Sequence, residues 1–506
     1  MFNKKLIVLT IILVSLFAVS AVSATDNATS DVVGVEDAAL DVSKQTTDDV
    51  GIEDQNNNIV KRTENQDNNE VGAAEGNGSK GNVGTFSNLT AEINNAKHEL
   101  NLTRNYTFTK IGTVGDMFTT GIPINKEITI NGNGFTIDGK NQASAFLILK
   151  TNNRIVLNNI IFKNCFSSSS GGAIYSCGAN VVISNCKFID NSASESSGAI
   201  QIVGENSIIS NCTFINNKAS NGGAILLEKQ TTVSNCKFID NSAGKLSGAI
   251  QIVGENSIIS NCTFINNKAS KGGAVVSKNK CTISDCSFIN NNASNGGAIL
   301  LEKQTTISNC KFIDNSAKEF SGAIQISGEN SIISNCTFIN NKASDGGAVF
   351  ADNKCTISDC SFMNNSASYG GAIQFVEQTT VSNCSFTNNT AERGGAIYTQ
   401  ETNSTVMNCR FTNNVAKDGA AAVLVDVSCN NVIISNSNFT NNKARDVAAL
   451  AILAPTTVSN CSFTNNTAYR APAIWGERGP FTLINCRLLH QILPVPSVWP
   501  ILLILQ

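Results

Sequence analysis

From about Leu157 to Leu488, short apolar runs of Ile, Val, Thr and Phe alternate with clusters of Gly, Asn and Ser. The stretch from Gly222 to Ala243 holds one full period: Gly-Gly-Ala-Ile, a polar corner, then Thr-Val-Ser-Asn-Cys-Lys-Phe-Ile-Asp-Asn. The cysteine of that unit recurs at Cys186, Cys212, Cys236, Cys262, Cys286, Cys310, Cys336, Cys360, Cys384, Cys409, Cys461 and Cys486. Ser437 fills the slot between Cys409 and Cys461, and Ile160 the one before Cys186. The steps are almost all 24 to 26 residues, the period range of solenoids.

A two-helix repeat needs about 33 residues or more, and no helical apolar spacing is present. The β-branched and aromatic runs are strand chemistry, and the Gly, Asn and Ser between them are turn chemistry. Three short strands and three corners use up roughly 24 residues, so each period predicts one triangular coil. The fold class is all-β: a parallel β-helix, right-handed as parallel crossovers usually are, with three strands per coil of about 24–26 residues. Its 14 ladder positions predict a stack roughly 65 Å long at ~4.8 Å per coil.

Within a coil, Val233 points in and Ser234 out; Asn235 makes a corner; then Cys236 points in, Lys237 out and Phe238 in. Asn tolerates the left-handed backbone that a sharp corner needs, and Asn stacked on Asn can bond along the axis. The phenylalanines from Phe188 to Phe463 are expected to form a buried column beside the cysteines. The Gly pair supplies a permissive third corner.

Paired GGAI and FxxN signatures resemble the repeats of chlamydial polymorphic outer-membrane proteins. The whole plan resembles adhesin-like surface proteins of methanogenic archaea, which carry a pectate-lyase-like repeat. That likeness covers roughly Phe86 to Leu488, and FSNLTAEINNA, LNLTRNYTF and ITINGNGFTIDG match the archaeal entry into the repeats. It implies a β-helix with a surface role, on a fold that also hosts lyases and hydrolases.

The remaining segments frame this body. Residues 1–24 read as a signal peptide: Lys4 and Lys5, an apolar run, then Val22-Ser23-Ala24 for cleavage between Ala24 and Thr25. Residues 25–85 hold 13 acidic against 4 basic side chains and read as a disordered spacer. Residues 86–156 read as a cap and irregular first coils, with a helix from Ser87, its N-cap, to Ala96 covering the first strand edge. Residues 157–488 are the repeats, and 489–506 are an apolar tail interrupted by prolines, a poor membrane span. Fragments such as CTISDCSF recur at a 74-residue interval, so a three-coil block reads as duplicated.

The net charge of −3 shows no basic stripe and disfavours nucleic acid as a partner. Neighbouring ladder cysteines would sit ~4.8 Å apart with parallel Cβ vectors, which suits buried, reduced thiols better than disulfides. Cys165, Cys177, Cys281, Cys355 and Cys429 lie off the ladder. Glycoside chemistry needs paired carboxylates, yet Asp190, Asp240, Asp314, Asp285 and Asp359 all fall at corners where other coils carry Asn. His98 and His490 lie near opposite ends. No catalytic, metal or small-molecule cofactor site is expected.

The residue before the Gly corner differs most between otherwise near-identical coils. Leu246, Phe320, Tyr369 and Arg393 are therefore the candidate ligand-facing ridge, on an outward corner expected to stand in water. The expected function is a secreted or cell-surface adhesin-like protein, a monomeric rod that binds glycans or proteins of a host or neighbouring cell without catalysis. The alternatives are a polysaccharide-active lyase or hydrolase and a passive structural stalk.

Overall fold

The computed structural model describes residues 83–110, 119–400, 403–477 and 481–490. The signal segment with Ala24 and Thr25, nearly all of the acidic spacer and tail residues 491–506 lie outside the described residues.

The repeat folds as a parallel β-helix built from three long sheets. A representative coil contributes Thr231–Ser234 to the first sheet, Lys237–Ile239 to the second and Ile250–Ile252 to the third. Among the described residues these sheets hold 16, 17 and 15 strands. Every pairing is parallel, and each strand meets its counterpart one repeat away, as in Phe214↔Phe238↔Phe264. The period thus becomes the register.

A fourth, shorter ladder is added at the corner between the second and third sheets. Ser242–Leu246 belongs to it, pairing with Lys218–Asn221 in the coil before. The three-strand coil expected from the period therefore carries an extra narrow strand. The corner residues are numerous enough to extend, and their backbone groups need partners.

Each coil turns at left-handed residues. In one coil these are Gly222 (φ 58°), Asn235 (φ 55°) and Asp240 (φ 56°), so Asn, Asp and Gly occupy the positions where a Cβ is least tolerated or locally compensated. Only the first glycine of each Gly pair is left-handed. The second serves close approach: a Cβ on Gly223 would lie 2.0 Å from the Gly248 carbonyl oxygen. This explains why the longer coils can put Ser197, Ser247 and Ser321 in the first slot and still keep glycine in the second.

Three inward columns run through the core beside the aliphatic columns of the first and third sheets. Phenylalanine rings stack from Phe162 to Phe463 at 4.6–4.9 Å, with successive planes within 10°. The strand spacing sets that distance. Phe162 extends the column one coil below its expected start. The second column is asparagine: Asn191 to Asn466, one per coil and fully buried. Asn241 Nδ2 donates to Asn267 Oδ1 at 3.0 Å and to the Phe214 carbonyl at 3.0 Å, so each buried amide is satisfied along the axis. The amide ladder expected at the Asn235 corner is exposed and intermittent there, as in Asn261 Nδ2 to Asn235 Oδ1 at 2.6 Å.

Cysteine is the third column. The Cys186 N–H donates to Cys212 Sγ at 3.4 Å, and Cys212 Sγ donates to the Ser210 carbonyl at 3.2 Å. Ser437 does the same with its hydroxyl, accepting from the Cys409 N–H at 3.1 Å and donating to the Ser435 carbonyl at 2.8 Å. The thiols thus act as small hydrogen-bonding spacers at the first corner. No ladder cysteine forms a disulfide.

Helix α1 spans Phe86–Asn95 and covers the first coil. Its N-cap is Thr85, whose hydroxyl accepts from the Asn88 N–H while Asn88 Oδ1 accepts from the Thr85 N–H. The start expected at Ser87 is two residues late, because Phe86 is itself buried beneath the helix beside Leu89 and Ile93. Lys126 Nζ closes the other end by donating to the Asn94 carbonyl at 3.0 Å.

Candidate functional site

The ridge residues come together in one backbone column. Bridges link Asn221, Leu246, Lys271, Asn295, Phe320, Asp345, Tyr369 and Arg393 in successive coils, all on the fourth ladder. Each lies just before the left-handed residue that turns the chain into the third sheet. Variation in sequence and adjacency in space therefore fall on the same line.

Their surroundings differ from the expectation. Leu246, Phe320 and Tyr369 are half-buried, while Arg393, like Lys271 in the same column, is exposed. Phe320 lies 4.7 Å from Phe350 by ring centroids, and Tyr369 lies 5.4 Å from Tyr398. Phe350 and Tyr398 are middle residues of third-sheet strands and point away from the main core, yet they are buried. The fourth ladder folds back over the outward face of the third sheet and covers that row. Tyr398, Ala420, Leu424, Val447 and Ala451 form a small separate apolar cluster there, with Tyr369 and Trp475 packed on it. The apolar ridge residues gain from this burial, which corrects the reading that set them in water. The signal was present in the sequence: Leu226, Leu300, Phe350 and Tyr398 occupy positions where strict alternation calls for polar residues.

A second feature escaped the sequence reading. A shallow cleft of about 420 Å³ lies on the outer side of the first corner, lined by Thr337, Asp359, Ser361, Ser385 and Arg410 among others. It exists because three consecutive coils place short side chains directly after the ladder cysteine, between Lys311 and Arg410. Reading that one position from coil to coil would have found it.

The corner carboxylates behave as members of ladders. Asp190 Oδ1 accepts from Asn216 Nδ2 at 2.7 Å, Asp285 Oδ1 from Asn309 Nδ2 at 3.0 Å and Asp359 Oδ1 from Asn383 Nδ2 at 3.1 Å. Asp359 is the one carboxylate lining the cleft. Among the described residues no three His, Cys, Asp or Glu side chains group to hold a metal ion. Off the ladder, Cys165 heads the asparagine column, its N–H donating to Asn191 Oδ1 at 2.9 Å. Cys281 and Cys355 face inward in slots where the next coil has Thr305 or Thr379. Burial pushes the Cys165 and Cys355 thiols up to about 12. Such thiols are poor nucleophiles.

Comparison with known proteins agrees with this geometry. Residues 211–228 match the Chlamydia polymorphic membrane protein repeat. No curated protein matches the chain. Among solved structures, that of a PL6 family alginate lyase is similar at 9% identity and a TM-score of 0.23, covering 80% of this chain and 99% of that one. Residues 245–380 and 368–488 match the family described as the right handed beta helix region, and the stack is a right-handed parallel β-helix.

Proposed function

We propose that this chain is an adhesin-like surface protein whose β-helix presents the Leu246–Arg393 ridge to glycans or proteins of a neighbouring cell, without catalysis. The observation that carries this reading is the contrast between columns. The inward Phe, Asn and Cys columns hardly change over a dozen coils, while the fourth-ladder column runs through Asn, Leu, Lys, Phe, Asp, Tyr and Arg. Misfits in the core would disturb the coils above and below; the ridge lies outside that core, with Phe320 and Tyr369 half-buried on Phe350 and Tyr398 and with Lys271 and Arg393 open to solvent. Tyr and Arg are side chains that binding surfaces favour. The match to the Chlamydia polymorphic membrane protein repeat supports placement at an outer surface.

The test measures binding of the purified chain to cells and to a glycan panel, with Leu246, Phe320, Tyr369 and Arg393 changed together to Ala in a second sample. Binding that falls about tenfold or more, equivalent to about 1.4 kcal/mol, in a variant with unchanged circular dichroism supports the ridge. Equal binding rejects the ridge, and no binding by either protein favours the passive stalk. A polysaccharide-active enzyme would use the cleft. Asp359 there lacks the second carboxylate that glycoside hydrolysis requires. Depolymerisation of any polysaccharide by the wild-type chain would overturn the non-catalytic reading.

A further inference from the structure

The outward face of the first sheet carries a pattern that neither fold nor ridge requires. Each first-sheet strand presents two residues outward. The first of these forms a column from Thr129 to Thr482 through fifteen consecutive coils, in unbroken register. Every position in it is Thr, Ile or Val. The second column, from Asn131 to Ile484, is almost entirely Ser and Asn. From Thr129 to Ile484 the two columns hold no charged residue, although 15% of the chain is charged; the sheet's first strand sets the exposed Glu99 in register beside Thr129, at the end of the face.

Strand propensity favours β-branched residues but does not exclude charge. The second sheet is the control: the same kind of outward column there carries Lys187, Lys237, Lys311 and Arg410. On the first sheet, Ile208 (42%), Ile258 (39%), Ile332 (41%) and Ile433 (38%) stay exposed at positions where Thr serves in other coils. Both margins of the face are polar. Lys229, Lys280, Lys303 and Lys354 flank one side, and the Asn and Asp corner residues flank the other. A charge-depleted centre with a polar rim is the anatomy of a protein–protein interface.

We infer that this face is the contact between two copies of the chain, packed sheet on sheet. Three observations select that occupant. The first-sheet strands pair in one register through fifteen coils with no bulge, so the face is continuous along its length. A strip of fifteen strands is about 70 Å long and about 10 Å wide, which covers roughly 1,400 Å² over two copies, within the range of stable interfaces. The surface is also self-complementary: neutral, with one coil spacing on both sides, and built from hydroxyls that both donate and accept. Stacked sheets sit ~10 Å apart, which buries the isoleucines against threonine and valine methyls. The contact leaves the fourth ladder of both copies uncovered, so it is independent of the ridge.

Analytical ultracentrifugation of the full chain up to roughly 100 µM, well above the micromolar weak end of association for interfaces of this size, tests the inference. The wild type is expected to show a reversible monomer–dimer equilibrium. I208K, I258K and I332K introduced together bring like charges face to face and weaken association by roughly a hundredfold or more. A control triple, T213K, T263K and T337K, puts the same charge on the second-sheet column, where lysine already stands in other coils, and dimerises like the wild type. A monomeric wild type, open-ended association, a first-sheet triple that still dimerises, or a control triple that loses dimers would each overturn the proposal. Circular dichroism of both triples separates a lost interface from a lost fold.

Discussion

Asn290 and Asn291 adjoin in the chain and do opposite work. Asn290 is exposed at φ 53° and donates from its amide to Asn266 Oδ1 at 2.8 Å. Asn291 is fully buried: its Nδ2 serves the Phe264 carbonyl and Asn315 Oδ1, and its Oδ1 serves the Asn267 N–H and amide. Changing Asn290 to Gly, which accepts the left-handed backbone freely, costs less than about 1 kcal/mol. Changing Asn291 to Ala orphans several buried groups at about 1–3 kcal/mol each, so a loss on the order of 3–5 kcal/mol is expected in chemical denaturation. The thiols add a pH dependence. Cys165 and Cys355 hold their protons up to about 12 in the folded chain, against about 8.5 when unfolded. Their contribution is therefore complete below pH about 8.5 and is lost as pH rises towards 12. Melting temperature should be flat between pH about 7 and 8 and fall above about 9. Replacing Cys355 by Thr, the residue of the next coil's slot, should lessen that fall. Alkylation should label few ladder cysteines natively and most after denaturation; failure to label denatured protein would mean disulfides.

Among elements, α1 closes the end of the stack, its buried side chains continuous with the core of the first coils. It meets the first strands through Phe86, Leu89 and Ile93, and Phe86 contacts Phe108 edge-on at 5.6 Å. Thr85 to Ala removes one side of the capping box and is expected to cost about 1 kcal/mol. Leu89 to Asp buries a charge and should lift the helix away, exposing an unpaired strand edge. The expected outcome is concentration-dependent aggregation by light scattering with the strand signal retained. If Leu89 to Asp instead unfolds the coils, their stability depends on the helix and it is more than a cover.

For the whole molecule, neighbour-to-neighbour stacking sets the rules. Deleting Ala219 to Asn292, one 74-residue block, joins Lys218 to Ala293 within a repeated Ala-Ser-Asn-Gly-Gly sequence and leaves every coil a proper neighbour. A folded chain with a stack shorter by about 14 Å is expected from solution scattering. Deleting about a dozen residues from the same block shifts the register by half a coil and turns core residues outward. Equal behaviour of the two deletions would refute the coil assignment.

The sequence by itself determined the periodicity, the coil, the inward Cys and Phe columns and the corner residues. Each of these is repeated a dozen times, and each depends on local backbone preference and side-chain facing. It also singled out Leu246, Phe320, Tyr369 and Arg393 by their variability. Only the tertiary structure decided what those residues touch. Whether Phe320 stands in water depends on how far the fourth ladder folds over Phe350, a residue on another coil and another sheet. The burial of Asn291 was hidden for the same reason: a polar residue becomes core only when the coils on either side supply its partners. Stacking also makes the cleft beside Arg410 and the charge-free face from Thr129 to Thr482, because both join residues that recur once per coil and touch only across coils.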